Sequence, residues 1–120
     1  MEFRRDVFQA VSDPTRRQIL EILSGRTLNL NALAAYFDIS RPAISKQVKI
    51  LEQCGLIDIE DHGRERYCRY KEGTLDELTR WVETLKELDK KGEASPTGYL
   101  QWLKTKKMEE GEEADRLKVY

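Results

Sequence analysis

Two cysteines, a single histidine and no long apolar run mark this 120-residue sequence, and each scarcity excludes something. Cys54 and Cys68 are too few for the disulfide framework of a small secreted protein, and neither stands in a CxxC or other metal-ligand spacing. His62, alone and without a neighbouring Cys, gives no metal set and no base for a Ser or Cys nucleophile. There is no Gly-rich phosphate loop, GxSxG or HExxH, so the expectation is no enzyme, no metal and no cofactor. The longest stretch without charge, residues 27–37, contains two asparagines and falls far short of the ~20 apolar residues that a spanning helix needs. The first eleven residues mix Arg4, Arg5 and Asp6 with apolar ones and hold no secretion core, so a cytoplasmic protein without a membrane anchor is expected.

Charge, by contrast, is abundant. Charged residues are 36% of the chain, 21 basic against 22 acidic, where ~25% is ordinary, so much of the sequence must be solvated helix face. A domain of this length buries roughly two-thirds of the surface its unfolded chain exposes, enough for a core without staples.

The periodicity is mainly helical. Phe3, Val7, Phe8 and Val11 recur at helical spacing; Asp13-Pro14 then reads as an N-cap and first helical residue, followed by Ile19, Leu20, Ile22 and Leu23 up to Gly25. A third helix is expected from about Asn29 or Asn31, with Leu33, Ala34 and Phe37 on one side. Ser40 offers the next N-cap, Pro42 is tolerated in the first turn, and Ile44, Val48 and Leu51 form a stripe that ends at Gly55. Two short helices across a tight turn read as a helix-turn-helix. From residue 56 to 71 the period falls to 2, around a charged, Gly-containing turn at residues 61–64, which predicts a β-hairpin in the position of a wing. Thr74 and Glu77 suggest a capping box before a long helix bearing Leu75, Leu78, Trp81, Val82, Leu85 and Leu88. The fold class expected is therefore mainly α with a small β-hairpin: a winged helix-turn-helix with N- and C-terminal dimerisation helices. Residues 1–91 form its DNA-binding and dimerisation domain, and residues 92–108 a linker and an additional helix opened by Ser95 and Pro96. Residues 109–120 make an acidic, flexible tail.

Net charge argues weakly against a nucleic-acid protein, so distribution decides. Residues 40–49 carry Arg41, Lys46 and Lys49 with no acid, and residues 62–71 carry Arg64, Arg66, Arg69 and Lys71 against only Glu65. Helix and wing side by side would present both segments to one duplex. With Ile44, Val48 and Leu51 inward, Pro42, Ser45, Lys46 and Lys49 point outward, short or cationic as close approach to a groove requires. The DNA-contacting set expected is Arg41, Pro42, Ser45, Lys46, Gln47 and Lys49 from the helix, with His62, Arg64 and Arg66 from the wing. One such helix reads only a few base pairs, so a homodimer on a palindromic double-stranded operator is expected, paired through Phe3, Val7, Trp81, Leu85 and Leu88. The arginines of residues 13–17 are expected to be exposed at a helix start, with direct phosphate contact as the second and compatible reading, and both cysteines to be small buried fillers.

The runs Phe8-Gln9-Ala10-Val11-Ser12-Asp13-Pro14-Thr15-Arg16-Arg17-Gln18-Ile19-Leu20, Leu33-Ala34, Ile39-Ser40-Arg41-Pro42-Ala43-Ile44-Ser45-Lys46-Gln47-Val48-Lys49-Ile50-Leu51 and Gly55-Leu56-Ile57 together resemble the ArsR-type winged helix-turn-helix regulators over about residues 3–88. The resemblance implies a dimeric transcription factor, usually a repressor that leaves its operator when an effector binds. Relatives that sense metals do so through cysteines at the start of the third helix, where this sequence has Asn29 and Asn31, or through histidines on the long helix, where residues 75–90 have none. It therefore resembles the branch that carries Asp-Pro-Thr-Arg-Arg and lacks recognised metal sites. Two rival readings are a protein-interaction module on the same scaffold and a thiol- or metal-responsive repressor using Cys54 and Cys68.

Overall fold

The computed structural model describes residues 5–91 and 96–118, so Phe3 and Ser95 lie outside it. The chain divides into two compact units, Met1–Thr79 and Arg80–Tyr120.

In the first unit each helix begins where a side chain takes up an amide that the first turn leaves without a partner. Helix α1 (Val7–Val11) is capped by Asp6, whose Oδ1 accepts from Gln9 N at 3.0 Å. Helix α2 (Pro14–Leu23) is capped by Asp13, which accepts from Arg16 N at 3.1 Å, with Pro14 in the first turn. Strand β1 (Leu28–Asn29) leads into α3 (Leu30–Ala34), where Asn29 accepts from Ala32 N at 2.7 Å. Helix α4 (Arg41–Gln53) is capped by Ser40, which accepts from Ala43 N at 3.3 Å. It stops at Gly55, whose φ of 86° turns the chain so that Leu56 N donates to Leu51 O at 3.1 Å.

Strands β2 (Ile57–His62) and β3 (Glu65–Tyr70) form the hairpin, turning at Gly63 with φ 64°. The sheet has three antiparallel strands in the order β1-β3-β2, with Leu28 opposite Cys68 and Ile59 opposite Cys68 on the other side. The sequence pattern foresaw a hairpin only; β1 is two residues long, too short to display a period. Ala10, Ile19, Leu33, Ile44, Leu51, Leu56, Ile57 and Cys68 form the fully buried centre, and Leu75 and Leu78 pack against it. Each large aliphatic side chain removed from water there contributes about 1.5–3 kcal/mol before entropy is counted.

Three expectations change. Val7 is only 4% exposed in the core of its own chain, so it offers nothing to a second copy. Thr74 caps no helix: its Oγ1 donates to Lys71 O at 2.7 Å, and α5 (Asp76–Lys91) begins two residues later, after a turn at Gly73 with φ 80°. Helix α6 (Pro96–Lys118) continues through most of the stretch expected to be a flexible tail. In the second unit Trp81, Val82 and Leu85 of α5 are exposed, as are Tyr99, Leu100 and Met108 of α6; Tyr99 and Trp102 stack with ring centroids 6.2 Å apart.

Candidate nucleic-acid interface

Successive α4 residues are rotated by about 100°, which separates the helix into faces. Ile44, Val48 and Leu51 are buried, while Arg41, Pro42, Lys46 and Lys49 are exposed and Ser45 is partly so. Pro42, Ser45, Lys46 and Lys49 line a cleft of about 500 Å³ whose opposite wall includes Ile59, Arg66 and Cys68 of the hairpin. The alternation of the strands explains why Arg66 is there. The hairpin face that carries Ile57, Ile59 and Cys68 continues outward as Asp61 opposite Arg66, so the wing extends the α4 side of the sheet beyond the core.

Arg69 and Lys71, counted in the sequence with the basic footprint, do not join this cleft. Both pair with Asp58, at 3.1 and 3.7 Å, and line a different depression beside the end of α2. The balance of residues 62–71 also leaves out the facing strand. Arg66 Nε lies 3.2 Å from Asp61, and His62 Nε2 lies 3.2 Å from Glu60, with the His62 ring edge-on to Tyr67. Lys49 pairs with Glu52 at 2.7 Å. These pairs are solvent-exposed and worth little, so a phosphate can take the carboxylate's place. Arg41, Lys46 and Arg64 form no ion pair among the described residues.

Gln47 stands about 140° around the helix from Pro42 and is partly buried. Its Oε1 accepts from Arg16 Nη1 at 2.8 Å. Arg16, expected at the surface, is 9% exposed: Nε donates to Ala10 O at 3.1 Å, and Nη2 to Gln9 O at 2.9 Å and Ser12 Oγ at 3.2 Å. At the C-terminal end of α1 the cation takes up Ala10 O and adds to the bonds that Ser12 N and Oγ already donate to Gln9 O. The signal was present in the spacing, since Arg16, Ile19, Leu20 and Leu23 fall at i, i+3, i+4 and i+7 on the buried face of α2. Arg17 remains exposed, with Nη1 donating to Val11 O at 2.7 Å.

Burial pushes the Cys54 and Cys68 thiols above their ordinary value, Glu52 adding to the effect at Cys68. A raised value disfavours the thiolate, which is the form that attacks disulfides. A hydrogen bond to the Glu65 carboxylate, at 2.8 Å, likewise raises Tyr67. Among the described residues no three His, Cys, Asp or Glu side chains converge as a metal set would.

Residues 13–58 match the family described as "Bacterial regulatory protein, arsR family". The transcriptional repressor SdpR of Bacillus subtilis is 38% identical over 79 residues, a match that takes in 64% of this chain and 86% of SdpR. The chain belongs to the ArsR family. A second family relative, the HTH-type transcriptional regulator Rv2034 of Mycobacterium tuberculosis, is 31% identical over 96 residues, 80% of this chain and 84% of that one. The crystal structure of an ArsR family transcriptional regulator superposes with a TM-score of 0.64 at 34% identity, covering 69% of this chain and 86% of the other. The protein is thus a transcriptional regulator of the ArsR family with a winged helix-turn-helix DNA-binding domain, in which α3 and α4 are the two helices and β2 and β3 the wing.

Proposed function

We propose that this ArsR-family regulator is a homodimeric repressor that reads a palindromic operator and is released by an effector. Arg41, Pro42, Ser45 and Lys46 would enter the major groove, Pro42 meeting a thymine methyl and the cations guanine edges. Lys49 would take a phosphate, and His62, Arg64 and Arg66 would hold the backbone or minor groove beside the wing. The observation that carries the reading is the cleft that α4 shares with Arg66: the outward face of α4 has no acid before Glu52 and opens toward the wing cation. The dimer would form through Trp81, Leu85 and Leu88 of α5, since Trp81 and Leu85 are about half exposed, at 49% and 44%.

Selection of binding sites from a random duplex pool, followed by gel shift, tests this. The expected site is a palindrome whose half-sites lie about one helical turn apart, ~34 Å. Affinity should fall steeply with salt, as for roughly 6–10 neutralised phosphates. Selection of no sequence, or a flat salt dependence, would refute the proposal.

A further inference from the structure

We infer that Arg16 is a positioning residue for DNA recognition, tying the end of α1 to Gln47 and so setting the roll of α4 in the groove. The inference rests on the DNA-reading role of α4 proposed above. Arg16 offers five N–H donors in a rigid plane, and four of the bonds they can make are formed: two to α1 carbonyls, one to Ser12 and one to Gln47. All four acceptors are neutral, and no carboxylate pairs with the guanidinium among the described residues. A buried cation solvated only by dipoles depends on their placement, so the group is held in one geometry.

Helix α4 needs such a constraint. Its buried stripe of Ile44, Val48 and Leu51 anchors it by apolar contact, which is non-directional and tolerates small rotations about the helix axis, and the bond from Arg5 Nε to Gln53 Oε1 at 2.9 Å lies at its last residue, away from Ser45 and Lys46. Reading a base edge does not tolerate them, because hydrogen bonds weaken steeply off line. The bond from Arg16 falls on the flank of α4, one turn or less from Ser45 and Lys46, where a directional contact resists roll most effectively. Gln47 then acts through its carbonyl as the receiving end of a latch, and the bases are left to its neighbours.

The test compares Gln47→Met, which removes the acceptor, with Gln47→Glu, which keeps it and adds charge. Arg16→Met removes the other end. The readout is the ratio of affinities for a duplex selected by the wild-type protein and for its scrambled counterpart, below the unfolding temperature of every variant. Gln47→Met and Arg16→Met should each lower that ratio about tenfold, the size of a lost charge-assisted hydrogen bond, and the double variant no further. Gln47→Glu should keep the ratio, while weakening both duplexes alike. The salt slope of Arg16→Met should equal that of wild type, because Arg16 touches no phosphate.

Loss of the ratio in Gln47→Glu as well would make Gln47 a base reader and overturn the latch. So would an unchanged ratio in Gln47→Met, or a salt slope reduced by about 1 in Arg16→Met. Should Arg16→Met not fold, the two Gln47 variants decide, since they retain Arg16. A wild-type protein that selects no duplex over its scramble sinks the DNA-reading assignment itself, and this is seen before any variant is compared.

Discussion

At the scale of single residues, exposure and pairing separate the cations into different tasks. Lys46 is exposed on the outward side of α4, the side proposed to meet the groove, while Arg64 sits at the turn of the wing. Lys46→Ala should therefore narrow the gap between operator and random DNA, each lost base contact being worth ~1–3 kcal/mol, whereas Arg64→Ala should weaken all duplexes by a similar factor. Competition gel shifts against the two DNAs distinguish these outcomes. The cysteines give a second prediction. Because burial holds the Cys68 thiol above its ordinary value, the folded state keeps its proton where the unfolded state loses it. The contribution is complete below the ordinary thiol range and is lost as pH rises through the folded value, so stability should decline on the alkaline side. Urea titrations across that range should show the decline in wild type and a smaller one in Cys68→Ala, and alkylation of native protein at neutral pH should be slow.

At the scale of elements, caps and apolar stripes set the boundaries, and most of these were legible in the sequence. Asp13, Ser40 and Gly55 each mark a helix end by a local hydrogen bond or a local dihedral, and local causes leave local signals. Gly55→Ala tests one of them. A Cβ there meets nothing within 4 Å, so only the positive φ opposes it, and the cost should be about 1 kcal/mol of unfolding free energy, read from a lowered urea midpoint at unchanged m. The elements that escaped have causes elsewhere in the chain. Strand β1 exists because Leu28 and Asn29 lie beside Cys68 and Tyr67, some forty residues on, and the charge of the wing is set by Asp58 and Asp61 across the hairpin. Thr74 lost its expected capping role to the turn at Gly73.

At the scale of the whole molecule, the apolar residues left exposed on α5 matter most. Trp81, Val82 and Leu85 form a surface that costs free energy in water unless something covers it, and in the proposed dimer a second copy does so. Leu85→Lys should leave the core intact, since Leu85 is no part of it, yet shift the protein to monomer in sedimentation equilibrium. Operator affinity should fall with it, because two half-sites are then no longer held together. A dimeric Leu85→Lys variant would remove this face from the assignment.

The sequence alone determined the order of the helices, the wing that follows them, and the division of α4 into a buried stripe and an outward polar face. Such features arise from periodicity and capping within a few residues of chain. Only the tertiary structure decided that Arg16 is buried against α1 and Gln47, that Val7 belongs to the core, and that Arg69 and Lys71 turn away from the cleft that Arg66 lines. A helical period tells which side of an element faces inward, but the groups met there come from distant segments, and the bonds they accept become visible only when the segments are packed together.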